Sequence, residues 1–218
     1  MKAVLFDLEG TLVESIYQRS PEKIHDLREE TRECLIGLGV PEMVLAGLLR
    51  SSSMRNSAYR WVEENRCSGE AVLLKEQMED FMSEYDMASA CGSRLYPDTI
   101  RVLKTLWEGD VLMAIVTNTS TTAAYNILGR LGLGRYFATV ITRSDILQMK
   151  PNPAMVRLAE ERMAVKAGWL VGDAPFDAGA ARAAGIPSII VRRDGVRPDF
   201  EHDYFIDSLD ALPPLLGL

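Results

Sequence analysis

VLFDLEGTLV, residues Val4 to Val13, ends a short apolar run on an aspartate and follows it at once with an acid, a glycine and a threonine. Ala3 to Phe6 reads as a fully buried parallel strand, and in open α/β sheets chemistry collects just beyond the carboxyl ends of the strands. Asp7 stands at that spot. Gly10 lets the chain turn sharply, so that backbone groups near Asp7 can face a bound anion. Taken alone, the decapeptide fits equally well a solvated turn in which Asp and Gly serve turn geometry.

Three more polar clusters follow apolar runs. Val111 to Thr117 leads into Asn118, and a hydroxyl with a string of amides at a strand end can hold phosphate oxygens. Lys150, in MKPNP, precedes an expected helix start, with Asn152 as cap and Pro153 in the first turn. It supplies a cation opposite the carboxylates. Strand Trp169 to Val171 runs into Gly172 and Asp173, with Asp177 four residues on, a spacing that can bind a hard cation through oxygen. Singly, Thr117 reads as a strand-end residue, Lys150 as a helix-dipole partner or surface charge, and the two aspartates as helix caps. Four such clusters in order at successive strand ends make coincidence a poor explanation.

With these residues in view, the chain resembles the haloacid dehalogenase superfamily, most of whose members are magnesium-dependent phosphatases. All four family motifs occur in the family's order between residues 4 and 185. The resemblance implies a doubly wound, Rossmann-like parallel α/β sheet with an inserted α-helical cap. Carried over position by position, it makes Asp7 the nucleophile and places phosphoryl oxygens on Thr117 and the Asn118 amide. Lys150 pairs with nucleophile and phosphate, and Mg2+ falls to Asp7, the Glu9 carbonyl, Asp173 and Asp177.

Glu9 departs from the common pattern, in which aspartate gives a proton to the leaving oxygen and later takes one from the attacking water. Glutamate keeps the acid and adds a methylene, which moves the proton. The enolase-phosphatases of the superfamily carry glutamate here, whereas the rest of this chain is more similar to the phosphoglycolate phosphatase and phosphoglucomutase branch.

Composition fits an ordinary enzyme. At 218 residues, 47 per cent of them apolar, the chain can bury a large core and one accessory domain. A net charge of -7 argues against a nucleic-acid binder. No run is long enough to span a bilayer, and the N-terminus enters strand residues directly, so a cytoplasmic location is expected. Cys34, Cys67 and Cys91 lack metal spacing and read as packing residues in a reducing compartment. The two histidines, His25 and His202, lie away from the clusters, which excludes a histidine triad or a zinc site.

From about Glu14 to Cys91 the chain is rich in charge and lacks strand-like runs. Ser20 and Pro21 suit a helix start, Ile24, Leu27, Leu35 and Leu38 recur at helical spacing, and Gly39 suits a stop. A second helix begins near Pro41, a third surrounds Ala58, Trp61 and Val62, and Leu74, Met78, Phe81 and Tyr85 trace a fourth apolar face. The resemblance makes residues 15–91 the cap, closing over a core of 1–14 and 92–218, with hinges near Glu14 and Cys91 to Pro97. Within it GLLRSSSMRN reads as an interhelix loop. There Arg50, the serines and Arg55 can meet the non-reacting part of a substrate, arginine suiting a carboxylate or a second phosphate. The plainer reading, a solvated turn whose serines cap the next helix, fits Arg55 better than Arg50.

The leading expectation is a phosphatase acting on a small phosphorylated metabolite, phosphoglycolate or a sugar phosphate, as a monomer or homodimer. A phosphomutase uses the same residues. A haloacid dehalogenase fits less well, because those enzymes need no metal and this chain keeps Asp173. The non-enzymatic alternative is a phosphate-binding protein whose catalysis Glu9 has weakened.

Overall fold

Uninterrupted apolar runs, buried on both faces, build the centre of the molecule. The computed structural model describes residues 2–16, 20, 22–66 and 69–218. Its strands are β1 (Ala3–Phe6), β2 (Val13–Glu14), β3 (Arg94–Leu95), β4 (Leu112–Val116), β5 (Thr139–Ile141), β6 (Trp169–Gly172), β7 (Ser188–Val191) and β8 (Tyr204–Ile206). Its helices are α1 (Glu22–Gly37), α2 (Glu42–Leu45), α3 (Ser51–Asn65), α4 (Glu70–Gly92), α5 (Thr99–Glu108), α6 (Thr121–Arg130), α7 (Ala154–Met163), α8 (Pro175–Ala184) and α9 (Leu212–Leu215).

Six strands form one parallel sheet in the order β5-β4-β1-β6-β7-β8. Alternate side chains of a strand point to opposite faces, and both faces here are apolar. Val4, Phe6, Met113, Ile115 and Val171 pack on one side with Val102, Leu103 and Leu106 of α5 and Ala124, Ile127 and Leu128 of α6. Leu5, Ala114, Val116 and Leu170 face the other, against Met155, Val156 and Ala159 of α7 and Ala180 and Ala181 of α8. The sheet is thus doubly wound, as expected. After β1 the chain moves toward β4, and after β6 toward β7, so a crevice opens between the carboxyl ends of β1 and β6. Asp7 and Asp173 follow those two strands.

The helices α1 to α4 hold a third apolar cluster, which includes Leu35, Leu45, Met54, Tyr59, Val62, Leu74, Met78 and Met82. The chain leaves the sheet through β2 and returns through β3. These two short strands pair antiparallel, Val13 opposite Leu95 and Glu14 opposite Arg94.

Four local expectations need correction. GLLRSSSMRN is mostly helix: Ser51 opens α3, and Met54, Ala58, Tyr59 and Val62 form its buried face, a period that the serine run conceals. Arg55 is therefore not in a solvated turn but buried. The helix α7 starts at Ala154, with Pro153 at its cap position, because the Asn152 side chain accepts the Ala154 N–H at 2.9 Å. Cys91 is exposed rather than packed, since its place on α4 faces away from the apolar cluster, while Cys34 is half-buried. Pro21 and Cys67 lie outside the described residues.

Candidate active site

The strand ends bring the four sequence clusters together around one cavity of about 300 Å³. The Asp7 N–H donates to the Val171 carbonyl at 2.8 Å, which continues the β1–β6 pairing and fixes the residue at the crevice. Lys150, 2 % exposed, donates to Asp7 Oδ1 at 2.7 Å and to Asp177 Oδ1 at 2.6 Å. Asp177 Oδ2 accepts the amides of Asp173 at 3.2 Å and Ala174 at 3.0 Å. Both oxygens of Asp177 are thereby engaged, and its chief visible contact with the site is its grip on Lys150.

Two glycines make this approach possible. A Cβ on Gly10, whose φ is +94°, would lie 2.3 Å from Asp173 Oδ2. One on Gly172 would lie 2.2 Å from the Asp177 carboxyl carbon. Gly179 of α8 similarly leaves room for Pro151, which follows Lys150; a Cβ there would come within 2.7 Å of the proline ring.

Carboxylate oxygens of Asp7, Asp173 and Asp177 lie within 4.8 Å of one another. Burial pushes the Asp7 carboxyl up to about 7, and Asp177 adds to this against the opposing charge of Lys150. Asp173 is raised well above the ordinary carboxylate range by burial and then by Asp7 and Asp177. One ammonium does not balance three carboxylates. A hard oxygen-seeking cation fits this donor set, in which Asp7, Asp173 and Asp177 each offer a carboxylate oxygen.

Glu9 is held from two sides. Its carboxylate accepts hydrogen bonds from Ser89 on α4 and from Thr119 Oγ1, the latter at 2.7 Å. Burial raises its pKa, with the two hydroxyl donors opposing, so the group is biased toward the protonated form. Thr117 is buried and linked to Thr119 at 3.2 Å. The Asn118 side chain accepts the Lys150 N–H at 3.1 Å and donates to its carbonyl at 3.3 Å. Arg50, exposed, stands over the Phe176 ring at 5.2 Å on the cavity wall.

The profile of haloacid dehalogenase-like hydrolases matches residues 1–185. This chain belongs to that family. The hydrolase is 32 % identical over 223 residues to the plasmid phosphoglycolate phosphatase of Cupriavidus necator, spanning 98 % of this chain and 92 % of that one. Among solved structures it is similar to a HAD phosphatase from Thermococcus onnurineus, with a TM-score of 0.62, 26 % identity and coverage of 100 % and 98 %. A 2-haloacid dehalogenase from Pseudomonas syringae matches at the same TM-score with 25 % identity, covering 100 % and 98 %.

In this haloacid dehalogenase-like hydrolase the cavity also holds residues that the sequence reading missed. Arg143 follows β5, is 1 % exposed, and reaches Glu79 at 2.8 Å, Asp86 at 2.5 Å and the Asn118 carbonyl at 3.3 Å. It thereby ties α4 to the loop of Asn118. The strand-end rule that found Asp7 points equally to Arg143, since TVI precedes TR in the sequence. Thr119 lies two residues past Thr117 in the same run. Asp86 and Ser89, within the C-terminal part of α4, carry no such signal.

Proposed function

We propose that this phosphatase hydrolyses a small phosphorylated metabolite, phosphoglycolate in the first instance, by transferring the phosphoryl group to Asp7 and then to water. The observation that carries the reading is the buried contact of Lys150 with Asp7, set at a strand end beside Asp173. Carboxylate attack on a phosphate dianion is repelled unless charge is neutralised, and a fixed buried ammonium does part of that. Asp177 keeps the ammonium aimed at Asp7. Asp7, Asp173, Asp177 and the Glu9 carbonyl would hold magnesium, whose chemistry is to offset the remaining repulsion and polarise the phosphoryl oxygens. Thr117 and the Asn118 amide would hold those oxygens.

Asp7 attacks phosphorus to form an aspartyl-phosphate, and the alcohol departs with the proton of Glu9. The resulting carboxylate takes a proton from water, which cleaves the acyl phosphate and frees Asp7. The raised pKa of Glu9 suits its first role. The similarity to a phosphoglycolate phosphatase over nearly the whole chain supports the substrate class. A cytoplasmic setting and a monomeric or dimeric state belong to the same reading, and no helix among the described residues is long and apolar enough to cross a membrane.

The test is phosphate release from 2-phosphoglycolate, sugar phosphates and an aryl phosphate, with magnesium and with chelator, for wild type and Asp7→Asn. Release that needs metal and disappears in Asp7→Asn is expected. Conversion of a sugar 1-phosphate to its 6-phosphate without free phosphate would make the protein a phosphomutase instead.

A further inference from the structure

Three guanidiniums line the cavity, those of Arg50, Arg55 and Arg143. Their partners differ. Arg143 is paired with two carboxylates, Glu79 and Asp86, and also donates to the Asn118 carbonyl. Arg50 is exposed and rests on an aromatic ring. Arg55 is 1 % exposed, yet among the described residues no carboxylate comes within hydrogen-bond distance of it.

The Arg55 contacts leave much of the group unused. Its Nε and Nη2 share one acceptor, the Tyr59 hydroxyl, at 3.3 and 2.9 Å, and Nη1 meets only Met149 Sδ at 3.4 Å. A guanidinium offers five donors, and a thioether is a weak acceptor. Glu79 stands 3.8 Å away but is committed, Oε2 to Arg143 and Oε1 to the Ser144 hydroxyl at 2.6 Å. A buried cation without a hydrogen-bonded anion is costly, and an arriving carboxylate, taken bidentately, would offset that cost. The group also lines the same cavity as Asp7, Lys150 and Asp173.

We infer that Arg55 is the receptor for a second negative charge on the substrate, a carboxylate carried by the leaving group. Resting on the phosphatase reading above, this makes a phosphorylated hydroxy acid the preferred class over a neutral sugar phosphate. Arg55 determines specificity and takes no part in the chemical steps.

The experiment measures kcat/KM for 2-phosphoglycolate and for ethyl phosphate, which lacks the carboxylate, in wild type, Arg55→Lys and Arg55→Met, with thermal melts of each. Wild type should favour phosphoglycolate at least tenfold. That preference should fall at least tenfold in Arg55→Met, chiefly through KM, and by less in Arg55→Lys, which keeps the charge and loses the fork. Equal losses on both substrates, as a purely structural arginine would give, overturn the inference. So does a wild type without the preference, whether or not the variants fold. A wild type inert toward every monoester sinks the phosphatase reading itself, an outcome distinct from a flat selectivity ratio.

Discussion

Asn56 and Met149 exchange two hydrogen bonds of 2.9 Å: the side-chain amide donates to the Met149 carbonyl and accepts its N–H. Asn56 belongs to α3 in the helical insertion, while Met149 precedes Lys150, whose own N–H is held by Asn118. The lysine's loop is gripped from the insertion on one side and from the sheet on the other.

Asn56→Ala leaves the buried Met149 N–H without its partner, at a cost of about 1–3 kcal/mol, while the Met149 carbonyl keeps the Asn152 N–H at 2.9 Å. The melting temperature should fall by several degrees, and kcat by on the order of tenfold as Lys150 loosens, since about 1.4 kcal/mol of barrier is one decade of rate. Thermal melts and steady-state kinetics read the two effects separately. An unchanged kcat would mean that Asn118 alone places the lysine.

Glu9 spans from the strand end to Ser89 on α4 and to Thr119, and its extra methylene gives it that reach. Glu9→Gln should lower kcat by about 10²–10⁴-fold, the usual range for a lost general acid–base. Glu9→Asp keeps the acid but draws it back from one hydroxyl, and a smaller loss is expected, up to about a hundredfold for an ångström of misplacement. If Glu9→Asp were faster than wild type, the glutamate would be a brake on catalysis.

Asp98 bears on stability. It is buried at the start of α5 and accepts from Arg193 at 2.6 Å, the Leu209 amide at 2.8 Å and the Ser208 hydroxyl at 2.9 Å. Burial pushes its pKa up, but these donors outweigh burial and hold it below the usual carboxylate value. Because the folded pKa lies below the unfolded one, the stabilisation is complete above the unfolded value and is lost as pH falls through the folded one. Asp98→Asn should therefore melt lower at pH 7, by about 2 kcal/mol of stability, as for a hydrogen-bonded charge. The gap to wild type should close below about pH 4. A gap independent of pH would assign the effect to packing instead.

Strand ends were the legible part of this molecule. Asp7, Thr117, Lys150 and Asp173 each follow an apolar run or precede a helix, so their gathering could be read from local pattern alone. Arg55 was misread because three serines interrupt the apolar period of α3 just where the helix begins. Asp86 reaches the cavity, and Ser89 reaches Glu9, from the C-terminal part of a long helix whose direction only tertiary packing fixes. The engagement of Asp177 Oδ1 depends on where Lys150 ends up, a pairing across 27 positions that spacing does not encode.

The β2–β3 ribbon gives the chain a single doorway: it departs and returns at the same threshold, Val13 beside Leu95. Everything between the two posts can be lengthened, shortened or exchanged without rethreading the sheet. The floor that carries Asp7 and Lys150 can then keep its geometry while the roof above it is rebuilt. Arg55 and Asn56 are fittings of that roof, both in contact with Met149 beside Lys150.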